Sequence, residues 1–178
     1  YRLLFLSIIA GMAVFLFLNA ESSFGFYSSS LIFRRISYAP ALLNEAYISY
    51  FTENGFIYWG YSKIGLGLVP YADELSPAFR IGEVLFPGTQ AHANTGIIGS
   101  GYMNAGYVGI AIYATMLGLA CAFLDRLGKQ SGNTMLISAL CAPQLFLATT
   151  TSDLPGMVLS AGLGTAIFVS WLMPDSAR

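Results

Sequence analysis

Charge is what this sequence has least of. Only 10% of its 178 residues are Asp, Glu, Lys or Arg, whereas an ordinary soluble domain carries about 25%. So sparse a set cannot clothe a water-exposed surface. The eight basic and nine acidic residues nearly cancel, which leaves no electrostatic footprint for nucleic acid. Cysteine is as scarce. Cys121 and Cys141 both fall in apolar runs without CxxC or Cys/His spacing, so they read as small packing residues rather than a disulfide or zinc site. There is no P-loop or G-x-S-x-G, and no GxGxxG follows a strand, which removes the Rossmann reading. One histidine is present, His92.

Hydrophobic residues make up 56% of the chain. Four runs, Leu3 to Ala20, Ala105 to Leu124, Thr134 to Thr150 and Leu154 to Met173, hold no charged residue or histidine. Each approaches the length of about 20 apolar residues that a membrane-crossing helix needs. One such run also suits a buried core helix or a signal peptide, but the first lacks an A-x-A cleavage pattern and the others are internal. The pattern predicts an all-α, polytopic transmembrane helix bundle with spans at 1–20, 105–124, 134–150 and 154–173. Between them fall a long loop at 21–104 and short connections at 125–133 and 151–153, with a tail at 174–178. The chain opens at Tyr1 and is hydrophobic almost at once, so it is expected to be a piece of a longer protein.

Arg2, Arg126, Lys129 and Arg178 share one side of this arrangement, and the TSDLPG turn on the other side has no positive charge. The basic side is the cytoplasm by the positive-inside rule. The long loop is then extracytoplasmic, and its own arginines are tolerated because long loops translocate largely regardless of charge. The loop is not a plain tether. In RRISYAPALLNEAYISYF, Ala39, Leu42, Leu43, Ala46, Tyr47 and Tyr50 recur at helical spacing while Asn44, Glu45 and Ser49 take another face, with Pro40 suited to the first turn. This predicts an amphipathic helix lying on the membrane or on other helices. Phe56, Tyr58, Trp59 and Tyr61 follow, rings that settle at headgroup depth. A second short helix opens at Ser76, with Pro77 at its first position and Pro87-Gly88 stopping it. In the later spans, Pro143 and Gln144 sit near a helix centre, and Gly106, Gly109, Gly118, Gly156, Gly162 and Gly164 allow close helix approach.

The residues able to do chemistry gather on the outer face: Arg34, Arg35, Lys63, Asp73, Glu74, Arg80, Glu83, His92 and Asn94, with Asp153 in the short turn. Guanidinium groups grip phosphate oxygens through paired hydrogen bonds; solvation or contact with lipid headgroups is the plainer alternative. His92 carries an imidazole, the side chain most often used as a general base or acid. It stands with Asn94 beside a glycine-rich helix start, where exposed backbone N–H groups favour anions.

RRISYAPALLNEAYISYF, a polar loop, and then ANTGIIGSGYMNAGYVGIAIYATMLGLACAFLDRL together resemble the C-terminal part of the bacterial O-antigen polymerases, also called oligosaccharide repeat-unit polymerases. The resemblance covers roughly residues 33–127, and its Y-x-x-x-G-x-x-G approach to the next span is carried by Tyr102, Gly106 and Gly109. Many relatives have an acidic residue just before that tyrosine, where this chain has Ser100 and Gly101. The resemblance implies a multi-span inner-membrane glycosyltransferase that works from the periplasmic side. It would move a glycan from undecaprenyl diphosphate to the sugar of an incoming lipid-linked repeat unit, with no cofactor and no metal. Membrane lipid and a chain-length regulator protein would be its partners. His92, Arg35 and Arg80 are then the catalytic candidates, and Arg34, Lys63, Asn94, Tyr102 and Tyr47 the candidates for binding diphosphate or sugar. Glu83 and Asp73 are reserve bases. An O-antigen ligase, which delivers the same donor glycan to lipid A core, and a lipid-linked oligosaccharide flippase are the alternatives. Transport pathways carry polar groups within the spans, whereas here the charges cluster at the outer surface.

Overall fold

The structure, a computed structural model, describes residues 10–11, 14, 34–62, 69–71, 73–159 and 162–172. Most of the first predicted span, Lys63 and the C-terminal tail lie outside the described residues. Among the described residues the fold is all-α, with no strand. A π-helical turn at Arg34–Tyr38 leads into α1 (Ala39–Asn54), followed by α2 (Pro77–Leu85), α3 (Ile97–Ser131), α4 (Thr134–Thr150), α5 (Leu154–Leu159) and α6 (Leu163–Trp171). The chain divides into two compact units, Tyr1–Ala41 and Leu42–Arg178. Arg34 and Arg35, both exposed, belong to the first. Everything described next belongs to the second.

Helix α3 is the one described helix long and apolar enough to cross a membrane. It starts earlier than the predicted span and is broken inside, at Ala105 (φ −155°, ψ 32°) and Gly106 (φ 60°, ψ −143°). The Gly106 conformation is one that a Cβ would disfavour strongly. Beyond the break the chain folds back so tightly that a Cβ on Gly109 would sit 2.0 Å from the Gly101 carbonyl oxygen. The stretch from Tyr107 to Ser131 is then helix of about 37 Å, at about 1.5 Å per residue, against a hydrocarbon core of about 30 Å. Tyr107, Val108, Leu119 and Phe123 on it are exposed.

Two clusters form the interior. One joins Tyr113, Leu124 and Leu127 of α3 to Ile137, Cys141 and Ala148 of α4 and to Met157 and Leu163. Cys141 is packed within it, while Cys121 is exposed. The other joins Tyr47 and Phe51 of α1 to Ile81, Ala93 and Tyr102. Of the predicted inward face of α1, Leu43, Ala46, Tyr47 and Tyr50 join this cluster while Ala39 and Leu42 do not; Ile48 and Phe51 are added, and Asn44 turns inward rather than lying on the polar face.

Helix α4 and the turn after it have the predicted limits, and α4 runs through Pro143 without interruption. Two boundaries differ. The connection expected at 125–133 is helical up to Ser131, because its charges sit on the last exposed turns, where Lys129 reaches Asp125 one turn back. The fourth span, expected as one helix over 154–173, consists of α5 and α6, with Gly162 at φ 94° before α6. Hydropathy carries no trace of that left-handed residue, and α6 alone covers only about 14 Å.

Candidate functional site

Ser76 caps α2 by accepting the Phe79 N–H (3.4 Å), and Pro77 takes the first helical position. The segment that carries His92 lies directly on this helix. A Cβ on Gly82 would fall 1.9 Å from the Ala91 carbonyl oxygen. The Ala93 N–H donates to the Ala78 carbonyl (3.0 Å), and the buried Tyr47 hydroxyl donates to the Ala93 carbonyl (2.9 Å). Burial pushes the Tyr47 phenol well above its ordinary range, so it stays a neutral donor. His92 is thus held by a backbone tied on both sides. Its exposed ring meets the Phe79 ring edge-on at 4.6 Å.

The start of α3 has its own cap. Gly96 supplies no side chain there, and Asn44 of α1 does so from a distance, its Oδ1 accepting from the Gly99 N–H (3.1 Å) and the Thr95 hydroxyl (2.9 Å). The helix N-terminus expected to favour an anion therefore spends one of its free N–H groups within the fold. A Cβ on Gly96 would meet the Thr149 carbonyl oxygen at 2.3 Å. That close approach brings the end of α4, and the turn after it, against the His92 segment.

The result is a cavity of about 310 Å³. Tyr47, Ser76 and Tyr61 contribute to one part of its lining, and His92, Asn94 and Ser100 to another. Thr151, Ser152 and Asp153 enter from the α4–α5 turn. Asp153 caps α5 by accepting the Gly156 N–H (3.1 Å). Burial raises its carboxyl above the ordinary value, and the Gly156 N–H opposes that shift. An imidazole and a partly desolvated carboxylate thus line the same hollow, without a hydrogen bond or ion pair between them. An imidazole placed there can accept a proton from a hydroxyl. Among the described residues no Arg or Lys lines the cavity, and no three His, Cys, Asp or Glu gather to hold a metal ion.

No family model, curated protein or solved structure matches this chain. The site therefore stands on its geometry.

Of the residues singled out from sequence, the cavity gathers His92, Asn94 and Tyr47. Arg80 lies elsewhere, forked onto Asp73 through Nε–Oδ2 (2.6 Å) and Nη2–Oδ1 (2.5 Å). That bond holds the Asp73 carboxyl below its usual range and the Arg80 guanidinium above its own. A carboxylate so held is a poor base. Glu83 is exposed and accepts the Gly88 N–H (3.2 Å). Tyr102 is 6% exposed. Its hydroxyl meets Thr52 Oγ1 at 2.9 Å, and its ring meets Phe56, so it packs the core.

Three residues carry more than their sequence signal suggested. Asp153 is the acid standing alone between two apolar runs, a visible sign. Asn44 is not visible as a cap, because its partners are more than 50 positions away. Asn104, 1% exposed, accepts the Trp59 N–H (2.8 Å) and donates to the Ser100 carbonyl (2.8 Å). Beside it the Ile57 and Tyr58 N–H groups take the Met103 and Asn104 carbonyls (2.9 and 3.0 Å). The break in α3 leaves those carbonyls without helical partners. Tyr58 and Trp59 adopt left-handed φ values of 45° and 60° to make this docking, and Trp59 stacks on Tyr113.

Proposed function

We propose that this chain is the C-terminal part of a multi-span glycosyltransferase of the bacterial inner membrane, which polymerises undecaprenyl-diphosphate-linked repeat units on the periplasmic face. The observation that carries the reading is the cavity that holds His92 and Asp153 together at the head of a helix able to cross a membrane. In this mechanism His92 takes the proton from the attacking sugar hydroxyl as its oxygen bonds to the anomeric carbon of the donor. The bond from that carbon to the diphosphate breaks, and the diphosphate leaves with the electron pair. Asp153 stabilises the imidazolium formed, and Asn94 and Ser100 offer hydrogen bonds to sugar hydroxyls. Arg80 is committed to Asp73, which leaves it unsuited to hold the diphosphate. The motif resemblance supports the donor class, and the absence of charge along residues 97–124 of α3 and along α4 supports a surface reaction over a transport path.

The test is a gel of the host's surface polysaccharide after deletion of the full gene. Surface lipid capped with a single repeat unit is the expected result. Bare core with long lipid-linked chains accumulating would turn the reading to a ligase, and an unchanged ladder would remove both.

A further inference from the structure

A second hollow, of about 250 Å³, lies where the end of α1 meets the segments that follow it. Its lining mixes rings with hydrogen-bonding groups: Tyr50, Phe56 and Tyr71 beside Asn54 and Asp73. Phe56 is fixed in place, edge-on to Tyr102 at 5.6 Å and close enough to Gly106 that a Cβ there would fall 2.9 Å from the ring. Asn54 is exposed; its amide donates one N–H to the Tyr50 carbonyl (2.8 Å) and keeps a second N–H and its oxygen for a ligand. The Asp73 carboxylate is neutralised by the Arg80 fork, and with the Leu75 N–H also on Oδ1 it keeps acceptor capacity on Oδ2 with little net charge. A metal cation would want free carboxylates and a phosphate would want a free guanidinium; the lining supplies neither. A pyranose fits this chemistry. Its C–H face lies on an aromatic ring, and its hydroxyls reach the amide and the carboxylate.

The two hollows are linked through one pair of rings. Tyr61 lines the His92 cavity, its ring meets the Tyr71 ring at 5.3 Å, and Tyr71 lines the second hollow. Both belong to the compact unit Leu42–Arg178.

We propose that the second hollow is a sugar-binding subsite that takes a pyranose unit neighbouring the one in the His92 cavity. Its place next to a reacting sugar rests on the glycan-transfer reading; its affinity for a sugar does not.

The test is saturation-transfer NMR on the full chain in lipid nanodiscs, with the oligosaccharide released by mild acid from the host's own surface polysaccharide as the probe. Saturation should reach pyranose ring protons. Tyr50→Ala and Asn54→Ala should each raise Kd about five- to tenfold, the loss of one stacking or hydrogen-bonding contact. Tyr50→Phe, which keeps the ring, should bind like the parent, and so should Glu53→Ala on the exposed face of α1. Asn54 is exposed, so its variant reports on binding even if Tyr50→Ala folds poorly. An unchanged Kd in both alanine variants, or no transfer to the probe, would overturn the subsite. Binding that depends on Tyr50 and Asn54, in a protein whose gene deletion leaves the polysaccharide ladder intact, would keep the subsite and remove the glycan-transfer reading. A collapsed ladder with binding indifferent to both residues would do the reverse.

Discussion

The two parts of α3 are built by different rules. Past Gly109 the helix is mainly apolar: large side chains such as Leu119 and Phe123 are exposed on it, and a Cβ on Gly118 would meet nothing within 4 Å. Before the break the small or polar residues Gly99, Ser100, Gly101 and Asn104 are buried beside Ile97 and Tyr102, and each of the four is held by a steric limit or a named hydrogen bond. A helix in hydrocarbon satisfies its backbone by itself and asks little of its side chains. A helix that stops, turns and builds a cavity must satisfy freed carbonyls one by one.

Paired glycine substitutions sharpen that contrast most. Gly109→Ala drives a Cβ into the Gly101 carbonyl and should cost about 3 kcal/mol or more. Gly118→Ala, in the same helix, should stay within about 1 kcal/mol of the parent. Thermal unfolding of the detergent-solubilised protein reads both; equal losses would erase the distinction. Next in size is Asn104→Ala, which strips the Trp59 N–H of its acceptor and should cost about 1–3 kcal/mol. New chymotrypsin cleavage at Phe56, Tyr58 or Trp59 is the accompanying sign.

Smaller, and dependent on pH, is Asp153→Asn. Because burial raises the Asp153 carboxyl in the folded state, the folded protein binds its proton more tightly than the unfolded chain does. The stability tied to that proton is full below the ordinary carboxyl value near 3.8 and is lost as pH rises through the higher folded value. Asp153→Asn should therefore raise Tm relative to the parent at neutral pH, and the gain should shrink on acidification. A gain that grows on acidification would contradict the burial of this group. The least effect belongs to Asp73→Asn, which removes a partly exposed ion pair and should barely move Tm.

What the sequence made legible follows the same division. The limits of α4, the Ser76 cap and the inward stripe of α1 could be read because hydropathy, capping chemistry and periodicity are local signals. Asn44, Asn104 and the pairing of Arg80 with Asp73 are long-range or conformational choices, and no local pattern marks them. The Gly106 and Gly109 motif was visible as a pattern. Its physical content, a break that only glycine tolerates and a backbone contact that only hydrogen allows, came from the fold. His92 was conspicuous as the single histidine, while its companion Asp153 stood 61 positions on and was joined to it only by the approach of Gly96 to Thr149.

The most direct test of the His92–Asp153 cavity is complementation of the deletion strain with His92→Ala, with surface polysaccharide run on a gel and protein level followed by immunoblot. Loss of polymer down to a single repeat unit, at a parental protein level, is the predicted result, with activity down about 10²- to 10⁴-fold as for the removal of a general base. A full-length ladder from His92→Ala would contradict it.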